Sequence, residues 1–336
     1  MRARLWPVVG TGLILTYLVG ACPRPAQRHE SGSAEVRAEA PPASRPARPW
    51  KGTRVRTLAV DGRPRTYRLH VPAMYDGRQP AALVLVFHGG GGSGANIARW
   101  VGFDALSERE GFLVAYPDGV NRHWIDGRNA PFQNIAGVDD VAFIAALLDA
   151  LSAEFHIDPR RIYAAGISNG AMFCHYLALR LSDRIAAIAP VAGGLPELEA
   201  TTPLPHGPVS VIAFNGTADA FVPFEGGSIV RDRGRVLGAR ATAARWAELN
   251  GCPLPPVREG LPDVDPRDGT TVTRETWSGG QAGAEVVLYV VEGGGHTWPA
   301  VDKRRYRWAG DVVTYDIDAT TLIWEFFKRH PRPAEP

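Results

Sequence analysis

The chain has 336 residues, 45% of them apolar, with 37 Lys and Arg against 35 Asp and Glu for a formal net charge of +2. That length and apolar content are ample for one large hydrophobic core. The near-balanced charge leaves no electrostatic case for nucleic acid as a partner.

Residues 1–22 carry Arg2 and Arg4, an apolar run over 8–19 and the ending Leu18-Val19-Gly20-Ala21-Cys22. This is the layout of a secretion signal. Its apolar run is too short and too interrupted for a spanning helix. The Val-Gly-Ala-Cys ending resembles a bacterial lipoprotein box. That resemblance implies cleavage before Cys22 and lipidation of its thiol, so that the membrane is met only through a lipid anchor. An ordinary signal peptide that holds a cysteine is the alternative. Residues 23–52 are rich in Pro, Ala, Arg and Glu and have no apolar period. They cannot bury a core and read as a semi-extended, disordered tether.

A single catalytic domain is expected over 53–330. Residues 54–60 and 65–71 alternate across Asp61-Gly62-Arg63-Pro64, which predicts a hairpin. Residues 83–87 read as a buried strand and run into His88-Gly89-Gly90-Gly91-Gly92-Ser93-Gly94. Such a glycine run lets backbone N–H groups bend toward a developing oxyanion, each donor contributing ~3 kcal/mol. A flexible surface loop is the bland alternative. A phosphate cradle would need a Lys-Ser or Lys-Thr that is absent. Trp124 lies in the long loop Asn121-Arg122-His123-Trp124-Ile125-Asp126-Gly127-Arg128. It suits either an aromatic wall for substrate or the core. Asp139 and Asp140 open a helix over 141–148, where carboxylates cap N–H groups.

The most informative segment is Gly166-Ile167-Ser168-Asn169-Gly170. An apolar, β-prone run at 161–165 precedes it and a helix-forming run at 171–179 follows. G-x-S-x-G between a strand and a helix is the context of a nucleophile elbow. There the serine sits on a strained turn, small residues let the backbones approach, and the helix start aims N–H groups at the reaction centre. In that arrangement the N–H of Asn169 and one in the glycine loop, at Gly90, are the expected oxyanion donors.

A nucleophilic serine needs a base, and the base needs an acid, in the chain order Ser, acid, His. The strand at 209–214 leads into Asn215-Gly216-Thr217-Ala218-Asp219, and the strand at 286–291 into Glu292-Gly293-Gly294-Gly295-His296-Thr297-Trp298-Pro299. Asp219 and His296 therefore stand on loops after strands, where sites in open α/β sheets collect. His88 precedes the serine and abuts the glycine run, which suggests another task. His175 falls inside the helix after the elbow, packed or solvated. Asp316 and Asp318 follow His296 and open the last helix, at 314–328. Glu225 is the fallback acid. Residues 253–270 hold five prolines and read as a surface loop. The cluster Lys303-Arg304-Arg305-Tyr306-Arg307-Trp308 reads as a solvated basic loop or, more sharply, as a contact for a carboxylate. Trp298, like Trp124, suits a substrate wall or the core. Alternating strands and helices predict an α/β fold with a doubly wound sheet.

Together, His88-Gly89-Gly90-Gly91-Gly92, Gly166-Ile167-Ser168-Asn169-Gly170-Ala171-Met172, Asn215-Gly216-Thr217-Ala218-Asp219 and Gly293-Gly294-Gly295-His296-Thr297-Trp298-Pro299 resemble an extracellular esterase family. That family contains polyhydroxybutyrate depolymerases and feruloyl esterases, and has the α/β-hydrolase fold. Val138-Asp139-Asp140-Val141-Ala142-Phe143-Ile144 and the run from Asp183 to Gly193 are similar to it as well. The resemblance implies Ser168, Asp219 and His296 as a triad acting on a carboxylic ester in a secreted setting, with no metal or organic cofactor. Its candidate substrates are polyhydroxyalkanoates, feruloylated or acetylated polysaccharides, and small esters. One departure stands out. The family often has a cysteine before the histidine strand that pairs with the one in Asn250-Gly251-Cys252, but Trp277-Ser278-Gly279-Gly280-Gln281 has none. Two rivals remain: a serine peptidase on the same scaffold, and a surface-anchored binding protein on an inactive hydrolase fold.

Overall fold

The computed structural model describes residues 50–130, 133, 135–204, 206–302 and 312–334. The signal, Cys22, nearly all of the 23–52 tether and the 303–308 basic cluster lie outside the described residues.

The chain order is β1 (Gly52–Val60), β2 (Arg63–Val71), β3 (Ala81–Phe87), α1 (Gly94–Ala98), α2 (Phe103–Glu110), β4 (Leu113–Pro117), α3 (Asp140–Glu154), β5 (Ile157–Ile167) and α4 (Asn169–Ala178). Then follow β6 (Ala187–Val191), β7 (Ser210–Gly216), β8 (Gly226–Ser228), β9 (Arg235–Leu237), α5 (Ala239–Asn250), β10 (Val257–Gly260), β11 (Thr271–Trp277), β12 (Val286–Glu292) and α6 (Ala319–Arg329). One ten-stranded sheet runs in the order β1-β2-β4-β3-β5-β6-β7-β12-β11-β10, and β8 and β9 form a separate ribbon. The centre, from β4 through β12, is parallel. Both edges are antiparallel. This is the doubly wound α/β sheet that the strand–helix alternation predicts.

Period-two alternation explains the two layers. In β3 every residue is buried. Leu83, Leu85 and Phe87 face one core with Phe143, Leu147, Phe173 and Trp246 of α3, α4 and α5. Ala82, Val84 and Val86 face the other with Ile97, Phe103, Ile323 and Phe327 of α1, α2 and α6. A strand buried on both faces reads as a continuous apolar run, and helices must cover both sides. The predicted hairpin is present, with a tight turn at Asp61 and Gly62, whose φ values are 50° and 73°. Two left-handed residues make the turn twist with its strands.

Four local expectations are corrected. The 253–270 stretch is not all loop: β10 adds an exposed edge strand to β11. The last helix starts at Ala319 rather than at 314, with Asp318 as its cap accepting from the Thr321 N–H at 3.2 Å. Asp316 lies before that helix and instead accepts from the N–H groups of Val264 and Asp265 at 2.7 and 3.1 Å, pinning the neighbouring loop. Trp50 already packs edge-on against Phe155, with ring centroids 6.0 Å apart, so ordered packing begins slightly ahead of residue 53.

Candidate active site

β5 ends at Ile167 and α4 begins at Asn169, which leaves Ser168 alone to make the turn. Its φ of 57° and ψ of −120° form a conformation costly to any residue with a side chain, of order 1–3 kcal/mol. The fold holds it there: the Ser168 N–H donates to Val191 O at 2.9 Å, and Ser168 O accepts from the Met172 N–H at 3.0 Å. The flanking glycines are required by space. A Cβ on Gly166 would lie 2.6 Å from the backbone of Gly170, and one on Gly170 would lie 2.4 Å from Phe87 O. Strand, elbow and helix are thus packed backbone to backbone.

On the next strand pair, β7 and β12 end in loops that are clamped together. The N–H groups of Thr217 and Ala218 donate to Val291 O and Gly294 O, both at 2.9 Å, and Gly293 N–H donates to Thr217 Oγ1 at 2.9 Å. A Cβ on Gly216 would sit 2.2 Å from Gly294 O, so glycine is what lets the loops close. The clamp brings Asp219 Oδ2 to 2.7 Å from His296 Nδ1, across 77 residues of sequence. The other carboxylate oxygen, Oδ1, accepts from the N–H groups of Phe221 and Val222 at 2.8 and 2.9 Å. Both side chains are almost wholly buried. A carboxylate fixed by two backbone donors presents its remaining oxygen to the imidazole in one orientation. Glu225, the fallback acid, is exposed and outside this arrangement.

Ser168, Asn169, Gly90 and His296 all line one cavity of about 800 Å³. Asn169 is the first residue of α4, where helix N–H groups have no acceptor within the helix. Gly90 lies close by, with its Cβ position 3.8 Å from that of Asn169. The geometry gathers a serine, a carboxylate-bound imidazole and two candidate oxyanion donors. Such a set can perform acyl transfer to water.

A model of the family described as Esterase PHB depolymerase matches residues 66–201. NocK of Nocardia uniformis subsp. tsuyamanensis, an esterase by name, is 35% identical over 260 residues, 74% of each chain. The chain belongs to the esterase family of polyhydroxybutyrate depolymerases and feruloyl esterases. Within that family, feruloyl esterase D of Neurospora crassa is 25% identical over 284 residues, 81% of this chain and 84% of that protein. Feruloyl esterase B of Piromyces equi is 28% identical over 235 residues, 67% of this chain but 41% of that longer protein. Among solved structures, acetyl xylan esterase from Aspergillus awamori superposes with a TM-score of 0.53 at 14% identity, covering 76% of this chain and 98% of that one. That likeness speaks to the α/β-hydrolase fold.

Several expectations for this esterase need correction. Trp124 and Trp298 are both core residues and neither lines the cavity. The Trp124 ring stacks on Phe173 at 4.9 Å and its Nε1–H donates to His88 O at 3.0 Å. Trp298 packs edge-on against Phe103 and its Nε1–H donates to Thr320 Oγ1 at 3.0 Å. Each finds a partner for its single donor inside the core, which removes the usual reason for a tryptophan to face a wet pocket. Asp140 is not a helix cap. Asp139 is, accepting from the Ala142 N–H at 2.9 Å, while Asp140 turns inward to Arg65 at 2.6 Å and to the Ile125 N–H at 2.8 Å. Burial pushes the Asp140 carboxyl above the usual range.

His88 has a structural task. Its Nε2 accepts from the Gly119 N–H at 3.0 Å, and its Nδ1 lies 2.8 Å from Gly89 O, a pairing that suits the neutral ring protonated on Nδ1. Burial lowers its pKa to about 4. His175 is packed rather than solvated: it accepts from Trp246 Nε1–H at 2.9 Å, and burial lowers its pKa to about 3. Cys174 and Cys252 are buried free thiols. Although the family's partner cysteine is absent, the 277–281 segment still covers Cys252. A Cβ on Gly280 would lie 2.7 Å from the Cys252 sulfur.

Sequence reasoning missed a buried network behind the nucleophile. Asn169 Oδ1 accepts from the Trp124 N–H at 2.8 Å, and Asn169 Nδ2 donates to Trp124 O at 3.0 Å and to Asp126 Oδ2 at 2.7 Å. Asp126 is wholly buried and also takes Arg128 Nη2 at 2.7 Å and Gln133 Nε2 at 2.8 Å. This network fixes the side chain of Asn169, the first residue of α4 and part of the cavity lining. The only trace in the sequence is the charged pair Asp126 and Arg128 around a glycine, in a loop without periodicity. Among the described residues, no group of three or more His, Cys, Asp or Glu could hold a metal ion, and no helix is long and apolar enough to cross a membrane.

Proposed function

We propose that this esterase cleaves carboxylic esters through an acyl-enzyme on Ser168, with Asp219 and His296 completing the triad. The observation that carries this reading is the 2.7 Å contact of Asp219 with His296 on a cavity that also holds Ser168 on its elbow. His296 Nε2 takes the proton from Ser168 Oγ as the oxygen attacks the ester carbonyl. The tetrahedral oxyanion is held by the N–H groups of Gly90 and Asn169. Collapse expels the alcohol, which leaves with the proton carried by His296. Water then attacks the acyl-enzyme by the same route in reverse, releasing the acid and restoring Ser168. Asp219 stabilises the imidazolium in both half-reactions. Feruloylated or acetylated polysaccharide and polyhydroxyalkanoate are the substrate types that the relatives' names suggest.

Fluorophosphonate is expected to label Ser168, and Ser168→Ala to remove turnover of p-nitrophenyl butyrate, methyl ferulate, acetylated xylan and amorphous polyhydroxybutyrate alike. Unchanged turnover in the purified variant would overturn the assignment. No label and no turnover in the wild type would favour the inactive binding protein. Exported delivery and lipid attachment at Cys22 are part of the same proposal. Mass spectrometry of the native N-terminus is expected to find lipidated Cys22, and an unmodified cysteine or another cut would reject it.

A further inference from the structure

The cavity at Ser168 has two unlike halves. One is polar and is built on the glycine loop: Arg122 Nε–H donates to Gly92 O at 3.2 Å, and His123 lies 3.2 Å from where a Cβ on Gly90 would stand. The other is apolar and is lined by Met172, Phe221, Val222, Ile229 and Val230. With Val236 these form a small hydrophobic cluster of their own, distinct from the two cores that flank the sheet. Stabilising an oxyanion needs no such surface. An apolar part of the substrate does.

Ile229 and Val230 stand at the turn of the β8–β9 ribbon. Its two strands have 3 residues each, too few to hold a position by themselves, so the ribbon lies where it is fastened. The Leu237 N–H donates to Leu195 O at 2.8 Å, and the Val230 N–H donates to Phe221 O at 3.0 Å. The third fastening is Arg128. Its Nη1 donates to Arg233 O at 2.9 Å, while its Nε and Nη2 hold Asp126 at 2.9 and 2.7 Å. Asp126 in turn accepts from Asn169 Nδ2 at 2.7 Å. Gly234 permits the approach: its φ is 89°, and a Cβ there would lie 2.9 Å from Arg128 Cβ. One buried guanidinium fork thus links the residue after Ser168 to the apolar wall, in a geometry that a lysine ammonium does not reproduce.

We propose that the β8–β9 ribbon selects esters whose acyl chain is apolar and longer than acetyl, and that Arg128 is the positioning residue that holds the ribbon for this. The inference rests on the esterase reading above and narrows its substrates. His296 hands its proton to the departing alcohol, so the alcohol leaves along the imidazole, beside Phe221, whose ring centroid is 5.2 Å away. The acyl chain stays bonded to Ser168 through both half-reactions and is left to Met172, Ile229 and Val230. An acetyl group has no methylene to lay on that surface.

The test compares p-nitrophenyl acetate with p-nitrophenyl butyrate, which differ only in the acyl chain. In the wild type, kcat/KM for butyrate is expected to exceed that for acetate by about 15-fold, about fourfold for each buried CH2. Val230→Ala should lower this ratio to about fourfold. Arg128→Lys keeps a charge for Asp126 but cannot also reach Arg233 O, and should lower the ratio by a similar factor. Combined with Val230→Ala it should lower the ratio no further, because both changes act through one wall. Gly234→Ala, which pushes the ribbon off Arg128 and leaves the pair with Asp126 in place, should have the same effect; it covers the case in which Arg128→Lys does not fold. A wild-type ratio near one, with butyrate still hydrolysed and Ser168 labelled by fluorophosphonate, would overturn this inference and leave the esterase standing. A ratio unmoved by Val230→Ala would also overturn it. So would additive losses in the double variant, or a wild-type ratio in both Arg128→Lys and Gly234→Ala. Failure of the wild type on both esters, with no fluorophosphonate label, would instead remove the esterase reading.

Discussion

Asp219 and Asp126 are both buried carboxylates on loops that follow strands of the sheet, and each bonds a residue that lines the cavity holding Ser168: His296 for Asp219 and Asn169 for Asp126. They are held in opposite ways. Asp219 is fixed by the backbone N–H groups of Phe221 and Val222, two and three residues on, and so keeps one oxygen for His296. Asp126 is held mainly by side chains, those of Arg128, Gln133 and Asn169, the last of them 43 residues away. A carboxylate anchored by its own loop can lose its distant partner without losing its place. A carboxylate inside a side-chain network cannot, because each member left behind is a buried polar group without its bond. Chemistry is thus expected to fail first at Asp219, and folding first at Asp126.

The largest effect expected is on turnover at Asp219. Asp219→Asn keeps the size but offers an amide that can hold the wrong imidazole tautomer, and kcat should fall by ~10²- to 10⁴-fold with little change in melting temperature. Glu225→Gln should leave kcat unchanged. If the two results were exchanged, the acid would be Glu225, and the comparison would break at its first term. Asp126→Asn should reverse the pattern. Depriving buried Arg128 of its carboxylate is expected to cost about 3–5 kcal/mol in urea unfolding, with kcat falling less than it does for Asp219→Asn. A fully stable Asp126→Asn variant would show that the network is dispensable.

A pH measurement sharpens the contrast between catalytic and structural polar groups. His88 is depressed by burial to about 4, below its ordinary value of 6.5. A depressed histidine contributes stability that is fully present above pH 6.5 and is lost as pH falls through about 4. The contribution is about 3 kcal/mol. Stability should therefore drop across that window, and His88→Gln should show a shallower slope. Equal slopes would deny that the neutral ring helps to hold the oxyanion loop. The smallest effect is expected at Trp298. Trp298→Phe gives up the bond to Thr320 and should cost ~1–2 kcal/mol, with no change in preference among esters. A shifted preference would return Trp298 to the substrate wall.

The strand–turn–helix at Ser168 and the loops that bring Asp219 to His296 were legible because each is local: a strand, a few glycines and a candidate side chain within about a dozen residues. Spacing and chain order suffice for that, and the glycines at 166, 170 and 216 prove to be spatial necessities. The hairpin and the buried central strands were legible for a related reason, since period-two burial is written residue by residue. What the sequence could not decide is which side of a surface a large side chain ends on. Trp124 and Trp298 sit near candidate site residues in sequence, yet they face the core: the Trp124 ring finds Phe173 of α4 and its N–H finds His88 O after β3, while the Trp298 ring finds Phe103 of α2 and its N–H finds Thr320 of α6. Asp126, Asn169 and Gln133 carry no shared period or motif, and only the folding of three separate segments makes them one network. The arginines of the cavity lining have the same origin. A net charge of +2 says nothing about where charged residues gather, since Arg99, Arg122 and Arg233 meet at one mouth only when the sheet closes and brings three loops together.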